Sequence, residues 1–155
     1  MAAGILDLTG NLSLYTIPAA WVLAIAPHFY AASLGGNKFD NKSPRTYTSS
    51  LASDQTLDQA TKDAIIRAEG AQQNGFENLG LFAAAVLAGN YAKLDNSTLN
   101  WLSLGYLGSR VVYNLLYVNN TSDTTANART GAFLSGIGLI FTLFIKSGNA
   151  IRNSL

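Results

Sequence analysis

The sequence predicts an all-α, integral membrane four-helix bundle. Three observations lead there: long stretches without formal charge, hydrophobic segments of spanning length, and turn chemistry between those segments. Charged residues make up 12% of the 155-residue chain, about half of the roughly 25% usual in soluble domains. A hydrophobic content of 48% and a mean hydropathy of +0.17 would suit either solvent, so the placement of charge decides. Nothing is formally charged between Asp7 and Lys38, from Asn96 to Ser109, from Val111 to Ser122 or from Thr130 to Ile145, and most charge falls within Lys38–Glu77. A soluble helix needs polar or charged groups along its exposed face. A soluble four-helix bundle is the competing layout, and the amphipathic pattern it requires is poor in the first and last segments.

A single domain over 1–155 is expected, with spans at about 12–34, 62–92, 98–118 and 126–146 and a polar loop at 35–60. The first segment, "LSLYTIPAAWVLAIAPHFYAASL", is long enough for a hydrocarbon core that takes about 20 residues. Pro18 and Pro27 would kink a soluble helix, but neighbours in a bundle can satisfy the carbonyls that proline frees. Trp21 and Tyr15 or Tyr30 suit the membrane interfaces. Gly-Gly, Ser-Pro and a serine run mark the polar loop, and Thr56 or Asp58 suits the cap of the next helix. That second helix reads as one that starts in water and enters the membrane near Glu77, until "LDNST" at 94–98 breaks it. Gly105, Gly108 and Ser109 in the third segment permit close helix contact in lipid. The fourth is glycine-rich at 131, 136 and 138 and ends near Lys146.

Four spans place both termini on one side. The first loop carries Lys38, Lys42, Arg45 and Lys62, against Lys93, Lys146 and Arg152 opposite, which puts the termini outside or in the lumen. The opening residues lack a basic n-region, so no removable signal peptide is expected. Asn11, Asn41, Asn96, Asn119 and Asn120 begin N-x-[ST] patterns, but such patterns are frequent in an Asn/Ser-rich chain and no glycosylation is expected. A net charge of +1 offers no basic field for nucleic acid. The absence of cysteine excludes disulfides and a protein thiol nucleophile. One histidine argues against a multi-histidine metal site, and no metal is expected.

The polar residues of the three later helices fall on shared faces. Arg67, Asn74 and Glu77 are spaced by seven and three, with Gly70 leaving room between them. Arg110, Tyr113 and Tyr117 follow an i, i+3, i+7 pattern flanked by Tyr106 and Asn114. Arg129-Thr130 opens the fourth segment, with Phe133 one turn on. All these lie toward the membrane face that carries the polar loop. Ionisable groups within spans are costly and normally pair inside a bundle, which makes Glu77 and Arg110 the natural pair. That pairing can lock two helices together and still line a site. Arg67 and Arg129 can snorkel to headgroups or hold an anionic ligand through bidentate contacts. Asn74 suits a ligand amide or an interhelical bond. Tyr113 and Tyr117 can donate to a thiolate or oxyanion, or sit as interfacial aromatics. His28, behind Pro27, reads as a packed or interfacial histidine rather than a proton shuttle.

Three stretches, in order, resemble the MAPEG family, the membrane-associated proteins in eicosanoid and glutathione metabolism, in the manner of its microsomal glutathione transferases. They are "RAEGAQQNGFENLGLF" (Arg67–Phe82) with its N-x-x-E core, "RVVYNLLY" (Arg110–Tyr117), and "RTGAF" (Arg129–Phe133). The resemblance implies a homotrimer of four-helix subunits in the endoplasmic reticulum or another intracellular membrane, with sites between subunits near the cytosolic face. It implies glutathione held by Asn74, Glu77, Tyr113 and Tyr117, with Arg67, Arg110 and Thr130 in the same binding set, and Arg129 near the thiol. Arg129, Tyr117 and Tyr113 would then be catalytic, stabilising a thiolate that attacks a lipophilic electrophile. Gly70 stands where glutathione-using members commonly carry arginine, Gln73 where some carry a base, and Gly80 where proline is usual.

Three functions follow as expectations. The first is a membrane-bound glutathione-dependent transferase or peroxidase acting on a lipophilic small molecule. The second is a glutathione-independent isomerase or cyclase on the same scaffold, using Glu77, Arg129, Tyr113 and Tyr117 for acid–base chemistry. The third is a non-catalytic membrane scaffold whose polar stripes only hold the assembly together.

Overall fold

The structure, a computed structural model, describes residues 9–154 apart from Asn41. The N-x-[ST] pattern at Asn41 therefore lies outside the described residues. The elements are α1 (Thr16–Gly35), a short α2 (Tyr47–Ser50), α3 (Gln59–Tyr91), α4 (Asn96–Val118) and α5 (Asp123–Arg152), with 3-10 turns at Ser13–Tyr15, Gly36–Lys38, Pro44–Thr46 and Leu51–Ser53. The described residues form no strand. The four long helices pack side by side: α1 lies against α3, α4 against α5, and α3 also touches α4 and α5.

Helix starts follow local chemistry. Asp58 caps α3 by accepting from the Thr61 N–H, Asp95 caps α4 through Thr98, and Ser122 caps α5 through Thr125. Such side chains satisfy backbone donors that a helix start leaves free. The caps pull α4 and α5 two to three residues ahead of the expected starts at 98 and 126. Between α3 and α4 the chain turns sharply, with Lys93 in the left-handed region at φ 52°. An amide clasp fixes the entry to α1: Asn11 Nδ2 donates to Asn90 Oδ1 at 2.6 Å, Asn100 Oδ1 accepts from the Leu12 N–H at 2.8 Å, and Asn96 Nδ2 donates to the Thr9 carbonyl at 3.0 Å.

Two segments, Ser13–Lys38 and Asp123–Arg152, are long and apolar enough to cross a membrane, with mean hydropathies of 1.4 and 1.6. Only 22% and 17% of their most apolar windows is buried within the chain, so most of that surface faces outward. The same measure does not pick out α3 or α4, whose Arg67, Glu69, Glu77, Asn100, Arg110 and Asn114 lower their hydropathy.

The main core gathers Ala20, Phe82, Ala85, Val86, Leu99, Tyr106, Ile140 and Leu143 from all four long helices. Phe82 and Tyr106 stack with ring centroids 3.9 Å apart. Gly75 lets α1 and α3 approach closely: a methyl group there would lie 2.9 Å from the Ala24 Cα. Pro27 denies the Leu23 carbonyl its partner four residues on, and Asn114 Nδ2 of α4 donates to that carbonyl at 2.8 Å. Trp21, half-exposed in the second turn of α1, meets Phe76 of α3 edge-on at 6.1 Å.

The polar loop is folded down rather than free. Tyr47 and Leu51 are buried with Ala31, Ile65 and Ala68 in a second cluster, and the Tyr47 hydroxyl donates to the Ala31 carbonyl at 3.3 Å. Lys38 pairs with Asp54 at 3.3 Å, and Lys62 Nζ donates to the Asp54 carbonyl at 2.5 Å. Hydrogen bonds from the Thr56 hydroxyl, then from the Thr56 and Leu57 N–H groups, hold the Asp54 carboxyl well below the usual carboxylate range.

Candidate functional site

At the loop end of the molecule α1, α3, α4 and the loop enclose a cleft of about 960 Å³. Its polar wall carries His28 from α1, Arg45 and Thr48 from the loop, Glu69, Gln72, Gln73 and Glu77 from α3, and Tyr117 from α4; Gly70 lies on its floor. A smaller hollow of about 480 Å³ lies between α1 and α4, lined by residues such as Leu23, Pro27, Val111 and Leu115; among the described residues none of its lining side chains is a carboxylate, imidazole or guanidinium. The ionisable side chains gather around the larger cleft.

A second layer of polar residues sits behind that wall. Arg110, 4% exposed, donates from a terminal nitrogen to Asn74 Oδ1 at 2.9 Å. Three rings surround its guanidinium, with Tyr106, Phe133 and Tyr113 centroids at 5.0, 5.2 and 5.4 Å. A cation in such a box is held by the negative faces of the rings. Its Nε and other terminal nitrogen have no hydrogen-bond partner among the described residues. The charge is buried with one hydrogen bond, and the surrounding rings offset part of its desolvation cost. Tyr113 bridges the layers, 5.4 Å from the Tyr117 ring and 6.0 Å from Phe133. Arg129 lies over the Tyr117 ring at 4.6 Å.

The residues singled out in the sequence thus divide by position. Glu77 and Tyr117 line the cleft; Asn74, Arg110 and Tyr113 stand behind it; Arg129 reaches it through Tyr117. Arg67 is turned to the end of α4, where its Nε donates to the Val118 carbonyl at 3.0 Å, a favourable place for a cation. Thr130 is exposed on α5 and its hydroxyl donates back to the Ala126 carbonyl at 3.0 Å. The expected pairing of Glu77 with Arg110 is replaced by two others. Arg110 takes Asn74, while Glu77 is exposed and accepts from Gln73 Nε2 at 2.9 Å. The physical reason is azimuth: residues three apart on a helix differ by about 60° in direction, enough to put Asn74 inward and Glu77 outward.

One feature escaped the sequence reading. His28 Nδ1 and Glu69 Oε1 meet at 2.9 Å across α1 and α3. The only signal for it was an ionisable side chain in an otherwise uncharged segment; nothing in the spacing named Glu69 as its partner.

All three polar stretches lie within the region that a comparison against known families covers. A model of the MAPEG family matches residues 8–149. The chain belongs to the MAPEG family. No curated protein and no solved structure gives a significant match. MAPEG membership, with two helices of spanning length, makes this an integral membrane protein and gives it an enzymatic role in the lipid-related metabolism of the family.

Proposed function

We propose that this MAPEG protein is a glutathione-dependent transferase or peroxidase acting on a lipophilic electrophile. The observation that carries the reading is the cleft at the loop end, with Tyr117 on its wall and the Arg129 guanidinium stacked on that ring. Glutathione has one ammonium, two carboxylates and two peptide groups. Glu77 suits the ammonium, Arg45 a carboxylate, and the Gln72 and Gln73 amides the peptide groups, so the residues present fit it. When bound, glutathione supplies the thiol that a chain without cysteine lacks. Arg129 and the Tyr113 and Tyr117 hydroxyls stabilise negative charge at the sulfur. Asn74 Oδ1 is held by Arg110, which polarises the amide and leaves its N–H groups as donors.

Gln73 and Glu77 are exposed, so that side of the cleft stands open. This supports closure by a neighbouring subunit in a homotrimer of four-span chains. The excess of Lys and Arg on the loop side supports luminal termini in the endoplasmic reticulum or another intracellular membrane. Titration of the detergent-purified protein with glutathione should develop thiolate absorbance near the ultraviolet edge. Arg129→Ala should lower kcat by roughly 10²-fold or more, the usual scale for losing one charge-stabilising donor, with the assembly intact. No thiolate at millimolar glutathione favours the second reading, an isomerase or cyclase of a lipophilic metabolite. Gly70 supports that alternative, because it supplies no guanidinium for a tripeptide carboxylate.

A further inference from the structure

His28 and Glu69 are ionisable residues that thiolate stabilisation by Arg129 and the tyrosines leaves unused. They stand 41 positions apart in sequence and meet across two helices at 2.9 Å. Their side chains are 20% and 17% exposed, and both line the cleft. Phe39 meets the imidazole edge-on at 5.3 Å and Phe29 lies tilted against it at 6.1 Å, so the ring is held in place. Its other nitrogen, Nε2, has no hydrogen-bond partner among the described residues. A purely structural ion pair would be a poor way to join α1 to α3. Those helices already meet through the Gly75–Ala24 approach, and apolar side chains hold such positions at lower desolvation cost.

An ionised carboxylate accepts hydrogen bonds and cannot donate. A neutral imidazole in this contact therefore carries its proton on Nδ1, and Nε2 keeps a lone pair on a ring that lines the cleft. We propose that His28 is the proton acceptor for the molecule bound in the cleft, with Glu69 as the positioning residue that fixes its tautomer and neutralises the imidazolium. Under the glutathione reading the donor is the thiol; the dyad itself does not depend on that reading. The S–H bond breaks, its electron pair stays on sulfur, and the proton forms an N–H bond at Nε2. When the sulfur displaces a leaving group from the electrophile, that group departs with its bonding pair; a basic leaving group takes the proton from Nε2, whereas chloride leaves as the free anion and Nε2 returns its proton to water. The other charged or titratable groups around the pair are Arg45 and Tyr47 from the loop, Glu77 two turns on along α3 and Tyr117 of α4.

The chain has one histidine, so the full-length protein labelled with ¹⁵N-histidine shows a single imidazole by NMR in detergent. The neutral ring is expected as the Nδ1–H tautomer. Glu69→Gln should shift it toward Nε2–H, because a glutamine amide can donate to Nδ1. With glutathione and a chloronitrobenzene as probes, His28→Gln should lower kcat by about 10²-fold, the scale of a lost general base, and change KM for glutathione far less. An Nε2–H tautomer in the wild type overturns the proposal, as does full kcat in a folded His28→Gln variant. An Nδ1–H tautomer in a protein that gives neither thiolate nor conjugate with glutathione supports the dyad and overturns the glutathione reading. Should His28→Gln fail to fold, the wild-type tautomer and its change in Glu69→Gln decide alone.

Discussion

Gly70 leaves space that Tyr117 fills. A methyl group there would lie 2.8 Å from the Tyr117 hydroxyl oxygen and 3.2 Å from the ring carbon that bears it. Any side chain at this position pushes the phenol away from its stack with Arg129. Gly70→Ala should therefore lower kcat, by up to roughly 10²-fold as for an ångström-scale misplacement. Tyr117 lines the open cleft, so its phenol can swing aside, and alanine gains roughly 0.5–1 kcal/mol over glycine inside a helix; the melting temperature should move little. In a Tyr117→Phe background the same change should lower kcat little further; a full additional loss would show that Tyr117 does not rest where Gly70 admits it. The sequence already showed a gap at Gly70 on the Arg67–Asn74–Glu77 stripe, and helical period sufficed to gather Arg110, Tyr113 and Tyr117 on one face. Period could not decide which inward group Arg110 would take, since Asn74 and Glu77 differ by only part of a turn. It was silent on His28 and Glu69, whose meeting depends on how α1 is set against α3 along their length.

Pro27 and Asn114 couple two helices through one carbonyl. The Leu23 oxygen loses its helical donor to Pro27 and gains Asn114 instead. Asn114→Leu should cost about 1–3 kcal/mol, the penalty for an unsatisfied buried acceptor. In a Pro27→Ala background the helix supplies its own N–H, so the same change should cost clearly less; a coupling energy near zero in a denaturation double-mutant cycle would refute the link. The loop obeys a different lever. Asp54 is held below the usual carboxylate range by Thr56 and Leu57, so its folded value is depressed relative to the unfolded chain. The stabilisation it gives is present above the ordinary value of about 4 and is lost as pH falls through the lower folded value. Protection of the Thr56 and Leu57 amides, relative to their intrinsic exchange rates at each pH, should fall over that acid window, and in Asp54→Asn that protection should no longer change with pH. At this scale the sequence was most informative where chemistry is local. Asp58 was legible as a cap and "LDNST" as a break, yet the loop, read as irregular, buries Tyr47 and Leu51. Their burial depends on distant partners such as Ala31 and Ile65.

The whole molecule is apolar on its outside and carries much of its polarity within. Arg110, Asn100, Ser103 and Ser147 are buried, while Leu134 and Ile145 of α5 are 61% and 63% exposed and Leu115, Phe141 and Phe29 also face outward. Water would penalise that surface, since large exposed apolar patches drive association. Hydrocarbon does not penalise it, and in hydrocarbon the backbone is already satisfied within the helices. The uncharged run from Thr130 to Ile145 is therefore the face on which the membrane reading is most exposed to test. Leu134→Arg near the middle of α5 should cost about 2.5–3.5 kcal/mol of insertion and reduce the carbonate-resistant membrane fraction. Asn149→Arg, at an exposed polar position near the end of the same helix, should leave that fraction unchanged. If a neighbouring subunit covers Leu134 instead of lipid, the variant still inserts but dissociates to a monomer by native mass spectrometry. A Leu134→Arg protein that inserts, assembles and resists carbonate like the wild type would show that neither hydrocarbon nor a second subunit meets this face, and the placement of α5 in the membrane would have to be abandoned.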